Sequence, residues 1–291
     1  MMPRRQVSAM VLGDTCDAHF EATAQWLARH LACRFHADAA AALAAPRDGA
    51  TGDGEPSLLV LLQSRPGEFT ENELTALRSR WPLARIVSIA ASWCEGEPRS
   101  GHAAAGVYRI AWQTAVERLD AEIHGSCRGS ANLANQANGG LFELPATATV
   151  DERLLANARV VANAPGVVAV AARRPSWAEP IVDARATAGP AAVFWPLDRP
   201  ARVRGVDAVV WDTFGCDRDL AGYRGKLPVA TAETPVVAVA DFPRPHDVAL
   251  LAELRVRGVL RKPYLVSDLL RCLDDVLAKQ APAAMRWPAV A

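Results

Sequence analysis

Lysine is almost missing from this chain: only Lys226, Lys262 and Lys279 occur among 291 residues. The rest of the basic charge is arginine, which accompanies abundant alanine and reads first as coding bias. Lys+Arg 32 against Asp+Glu 32 leaves a formal net charge of zero. That balance gives no argument for a basic nucleic-acid face or an acidic interaction tail. No apolar run reaches the about 18 residues that a membrane span needs. The basic start Met1-Met-Pro-Arg-Arg meets Asp14 before any adequate apolar core, so no signal peptide is expected. None of the six cysteines (Cys16, Cys33, Cys94, Cys127, Cys216, Cys272) makes a Cys-x-x-Cys pair. Reduced thiols and a cytoplasmic location are therefore expected. Neither half carries Gly-x-Gly-x-x-Gly after its first strand, and Gly-x-x-x-x-Gly-Lys-[Ser/Thr] is absent, which excludes dinucleotide and P-loop nucleotide binding by those motifs. No cofactor is expected. No DNA-binding output module is expected after residue 279, where only a short tail, 281–291, remains.

Core material is ample: 51% of residues are hydrophobic, and the length suits two domains. The most informative stretch is Val206 to Pro263. It holds three short apolar runs: Asp207-Ala-Val-Val-Trp-Asp212, Pro235-Val-Val-Ala-Val-Ala240 and Gly258-Val-Leu-Arg-Lys262-Pro263. Their rhythm is that of successive parallel strands with crossovers. In open parallel sheets, chemistry sits beyond the carboxyl ends of the strands, here Asp212, Ala240 and Lys262. Further strands are expected at Val167–Ala171, with Val160-Val161 as a rival start, and at Ala191–Trp195. A helix over Ser176–Ala186 is expected to be interrupted by Pro180, and a loop is expected over Cys216–Leu227. A helix over Asp247–Val256 is expected to bury Val248, Leu250, Leu251 and Leu254 and to stop at Gly258.

The first half has the same rhythm. Strands are expected at residues 8–13, Cys33–His36, Ser57–Leu62, Ala84–Ala90 and Gly106–Ala111. Helices are expected at Ala18–Leu31, Ala39–Ala45 and Thr114–Ile123. Thr70-Glu-Asn-Glu73 has capping-box spacing, with Leu74, Leu77 and Trp81 as the apolar face behind it. The same interval separates Leu58 from Ile86 and Ala208 from Val236, and similar intervals follow. That period reads as an internal duplication. The division is 1–124 for the first α/β domain, 125–150 for a small, polar, flexible linker, and 151–291 for the second domain with its tail.

The ordered strand ends resemble the receiver (CheY-like) domain of two-component response regulators. The resemblance is clearest over residues 165–279 and fainter over 8–124. It implies two doubly wound, flavodoxin-like α/β domains in tandem, each a parallel sheet of order 2-1-3-4-5. It places Asp212 at the phosphoacceptor position and Ala240, Lys262 and Pro263 at switch positions. In the family an acidic pair after the first strand helps to hold Mg²⁺, and a hydroxyl stands where this chain has Ala240. Here Ala172, Arg173 and Arg174 follow the first strand of the second domain, and Asp241 follows Ala240. In the first domain Leu62-Gln63 stands for the acceptor and Ala111-Trp112 for Lys-Pro, with Asp14 as one survivor of the acidic pair and Asp17 near it. No bound metal is expected at either position.

A candidate binding loop is Trp93, Cys94, Glu95, Glu97, Arg99 and His102, since tryptophan and arginine anchor interfaces well. The reading that follows is a non-catalytic pseudo-receiver, a signalling or scaffolding protein that acts through protein contacts. The exposed side of Leu265–Leu277 is the surface expected to make them. A protein partner is expected, and a homodimer or an intramolecular pairing of the domains is compatible. Nucleic acid and membrane are not expected partners. The alternative is a phosphorylatable switch in a phosphorelay using Asp212 and Lys262. A third reading is a small enzyme with chemistry at Cys94 and His102.

Overall fold

The structure is a computed structural model, and it describes residues 7–46, 55–94, 96–97, 106–124, 166–188, 191–197, 205–214, 219–227 and 234–278. The chain divides into two compact units, Met1–Arg159 and Val160–Ala291. The segment 125–150, expected to be a linker, lies outside the described residues.

The first unit has strands β1 (Ser8–Leu12), β2 (Ala32–His36), β3 (Leu58–Gln63), β4 (Arg85–Ala90) and β5 (Val107–Ala111). They form one sheet in the order β2-β1-β3-β4-β5, every pairing parallel. Helices α1 (Glu21–His30), α2 (Ala39–Ala44), α3 (Glu71–Arg80) and α4 (Ala115–His124) connect or follow them. Side chains alternate across a strand, so β3 feeds two cores. Leu58, Val60 and Leu62 pack with Phe20, Leu27 and Leu119 on one face. Leu59 and Leu61 pack with Leu74, Leu77 and Trp81 on the other. A strand buried on both faces needs an unbroken apolar run, and β3 is buried at every position. The capping box forms as its spacing predicts. The Glu73 amide donates to Thr70 Oγ1 at 3.3 Å, and the Thr70 amide donates to Glu73 Oε2 at 2.8 Å.

The second unit has β6 (Val168–Ala172), β7 (Ala192–Pro196), β8 (Ala208–Asp212), β9 (Val236–Asp241) and β10 (Val256–Lys262). Its sheet order is β7-β6-β8-β9-β10, again all parallel. Numbered within each unit, both sheets read 2-1-3-4-5, so both are doubly wound, flavodoxin-like α/β folds. The helices are α5 (Pro175–Ala188), α6 (Leu220–Arg224), α7 (Pro245–Glu253) and α8 (Val266–Ala278). Asp207 pins the amino ends of β6 and β8 together: its Oδ2 accepts from the Val167 amide at 2.7 Å. Gly166, with φ at 138°, is part of this close approach, because a Cβ there would lie 2.9 Å from that same oxygen.

Four local expectations are corrected. Pro180 does not interrupt α5, which continues through it to Ala188. The region expected as a loop over Cys216–Leu227 contains α6, capped by Asp219, whose Oδ1 accepts from the Gly222 amide at 2.9 Å. On α7 only Leu251 is fully buried, while Leu250 is exposed. That helix ends before Arg255, which adopts φ of 60°, and not at Gly258. Gly258 instead sits in β10 beside a register shift, where a Cβ would come 2.5 Å from Cys272 Sγ of α8. Glycine there lets the last helix lie close to the last strand.

Candidate functional site

The second unit's site is built from three adjacent strand ends. Alternation puts Val210 and Asp212 on one face and Trp211 on the other, where Trp211 is fully buried. Asp212 closes β8 with its side chain only 3% exposed. A buried carboxylate needs a partner. Lys262, the last residue of β10, supplies it: Nζ donates to Asp212 Oδ1 at 2.7 Å. The same oxygen accepts from the Phe214 amide at 2.9 Å. Lys262 Nζ also lies 3.7 Å from Asp241 Oδ2 and 5.5 Å from the centre of the Phe214 ring. Phe214 meets Trp177 of α5 edge-on, their centres 4.6 Å apart. Burial, and then the charge of Asp212, push the Tyr264 phenol up to about 12.

The expected residues therefore converge in part. Asp212 and Lys262 touch, and the Lys262–Pro263 peptide that follows is cis. Ala240 is buried in β9 and has no hydroxyl to offer. The hydroxyl beside Asp212, that of Thr213, is buried and donates to the Val239 carbonyl at 3.3 Å. Arg173 and Arg174 follow β6, both exposed, with the Arg174 guanidinium over the Trp177 ring at 5.4 Å. Guanidiniums cannot ligate a cation. No group of three or more His, Cys, Asp or Glu side chains suited to a metal occurs among the described residues. Among the described residues, the donor set thus lacks the acidic pair that the receiver resemblance implies for a divalent ion.

The first unit's strand ends hold a different set. After β1, Asp17 Oδ1 lies 2.6 Å from His19 Nδ1, and also accepts from the His19 amide at 2.9 Å. His19 Nε2 lies 3.1 Å from Ser92 Oγ, which opens a short 3₁₀ turn after β4. Trp112 Nε1 donates to Ser92 Oγ at 3.2 Å, and the His19 and Trp112 rings meet edge-on. Strand register (Leu61 with Ser88, Trp211 with Ala238) puts Leu62 where the second unit has Asp212, and Trp112 where it has Lys262. Asp14 Oδ1 is occupied by the Cys16 amide at 2.8 Å.

Within the loop after β4, Glu95, Arg99 and His102 lie outside the described residues. Trp93 is 69% exposed. Glu97 turns inward: its carboxylate accepts from Gln63 Nε2 at 3.1 Å and from the Gly67 amide at 3.1 Å, and pairs with Arg109. Cys94 is buried, and its Sγ donates to the Gln63 carbonyl. Burial first, then the Glu97 charge, push its thiol up to about 12. A thiol held neutral in this way is a poor nucleophile. Sequence reasoning passed over His19 and Ser92 because they lie 73 residues apart. The signal that would have helped is positional, since both follow carboxyl ends of strands.

No protein family and no curated protein matches the sequence. Solved structures do match. One match is a signal receiver domain of a two-component histidine kinase from Clostridium thermocellum, at 16% identity and a TM-score of 0.31, covering 38% of this chain and 97% of that one. Another is the C-terminus of E. coli RcsC, containing a linker region and a phosphoreceiver domain, at 14% identity and a TM-score of 0.30. That match covers 96% of this chain and 97% of the other. The doubly wound, flavodoxin-like folds of the two units rest on their own strand orders.

Proposed function

We propose that this protein is a pseudo-receiver signalling or scaffolding protein, working by contact with a protein partner and not by phosphoryl transfer. The observation that carries this reading is what surrounds the 2.7 Å pair between Asp212 and Lys262: Ala240 offers no hydroxyl, Arg173 and Arg174 follow β6, and no metal-holding group of three His, Cys, Asp or Glu side chains occurs among the described residues. Phosphoryl transfer to a carboxylate requires positioning and charge compensation for the incoming group. Here the single lysine charge is already shared between Asp212 and Asp241, and Ala240 adds no donor. The carboxylate therefore serves as a fixed strut. Exposed apolar side chains follow each neighbouring strand end: Phe214 after β8, Phe242 after β9, and Leu265 and Val266 after β10. By contrast, Leu269, Leu270, Leu273, Val276 and Leu277 of α8 are buried against the sheet. The binding surface proposed is the strand-end rim, continuing onto the exposed side of the last helix.

The experiment is complementation of a deletion in the native host. The reading predicts that Asp212→Asn complements as well as the wild type, whereas Phe214→Ser/Phe242→Ser/Leu265→Ser, shown to be folded, does not. An Asp212→Asn variant as defective as the deletion, beside a competent triple variant, would overturn it. That result would instead support a phosphorylatable switch, the reading favoured by the mere meeting of Asp212 and Lys262.

A further inference from the structure

We infer, building on the reading of this chain as one that works by protein contact, that the second unit docks an acidic segment of its partner on Arg224, Lys226, Arg255 and Arg257. These side chains lie at the end of the unit away from Asp212, and they come from neighbouring elements. Arg224 ends α6, and its Nε donates to the Leu254 carbonyl at 3.0 Å. That bond brings the guanidinium to the turn between α7 and β10, where Arg255 follows at once. Arg255 adopts φ of 60°, and its amide donates to the Ala252 carbonyl at 2.9 Å. Val256, which opens β10, is buried in the core, while Arg255 and Arg257 on either side of it are exposed. Lys226, just beyond α6, is exposed and lies 4.7 Å from the centre of the Tyr223 ring.

Among the described residues these cations lack a counter-charge: none of the four pairs with a carboxylate. Asp219, the nearby acid on α6, is taken up as the helix cap. Arg224 and Arg255 act on each other as like charges: burial, then the Arg255 charge, hold the Arg224 guanidinium below its ordinary value. Like charges gathered without a partner repel, and an anion placed among them relieves that repulsion. A guanidinium offers paired donors that match a carboxylate in a two-point contact. In a chain whose formal charges cancel, a local group of unpaired cations is complementary to acid. The adjoining surface sets the class of acid. Leu250, one turn before Leu254 on α7, is exposed, so an apolar side chain of the same segment has a place beside its carboxylates. A single-stranded nucleic acid would stack its bases on open aromatic faces, whereas Tyr223, the ring beside the patch, already carries Lys226.

The test is fluorescence anisotropy on the full chain with a labelled peptide of repeated Glu-Glu-Leu, beside a peptide of repeated Lys-Lys-Leu and an oligothymidylate. The expected result is saturable binding of the acidic peptide that weakens as salt rises, and no binding of the basic one. Arg255→Glu/Arg257→Glu weakens it by about 10-fold or more, the ordinary worth of a charged hydrogen bond. Arg29→Glu/Arg65→Glu makes the same change in net charge on exposed arginines of the first unit and leaves binding unchanged, which separates a site from a general effect of charge. Protein with a normal thermal transition that does not bind the acidic peptide, or that binds it equally well in Arg255→Glu/Arg257→Glu, would overturn the inference. So would tighter binding of the oligothymidylate, which would make the patch a nucleic-acid site. Each of these failures would leave the pseudo-receiver reading standing, since its own test lies with Asp212 and the rim at the opposite strand ends.

Discussion

Residues at the ends of strands decide the chemistry of each unit, and Tyr264 reports on it. Its phenol is displaced upward by burial and by the Asp212 charge. A raised folded-state value means the unfolded chain releases this proton first. The contribution to stability is therefore intact below pH of about 10 and is lost as pH rises toward about 12. The chain has three tyrosines. A phenolate absorbance titration should show a late component that moves to lower pH in Asp212→Asn. A titration unchanged by that substitution would remove Asp212 from the surroundings of Tyr264. At this scale the sequence was legible where one residue carries the signal. Asp212 and Lys262 are polar ends on apolar runs, and a near-lysine-free chain makes Lys262 conspicuous. The Asp17–His19–Ser92 array was not legible, because proximity between the loops after β1 and β4 comes from topology and not from spacing.

Elements form here largely for reasons visible in the chain, and they end for reasons that are not. β3 and β8 are recognisable because a strand buried on both faces must be continuously apolar. The capping box of α3 is local chemistry and appears in full. Gly258 reads as a helix stop by position alone, yet its task is set by Cys272 on another element. Gly258→Ala should destabilise the second unit by about 1–3 kcal/mol, the usual cost of overpacking. In the double variant with Cys272→Ala the cost should shrink, since the clash has lost its partner. Equal costs in both backgrounds, measured by denaturant unfolding, would place the constraint in the backbone instead. Pro180 follows the same logic from the other side. Local rules forbid it in a helix interior, but α5 is held by the packing of Ala178 and Ile181 in the core.

The whole molecule carries the same strand order twice, with unlike residues at the strand ends. The first unit has Leu62 and Trp112 where the second has Asp212 and Lys262. The duplication was legible from the interval between strands, since a repeated fold repeats its crossover lengths. The copies differ in which polar groups meet above the sheet. In the second unit that is an ion pair already closed. The most direct measurement is intact-protein mass after incubation with a small phosphodonor and Mg²⁺, with Asp212→Asn as the control. The account predicts no gain in mass in folded protein, in the wild type or the variant. A labile gain of one phosphoryl group that the variant loses would contradict it and make Asp212 a working acceptor.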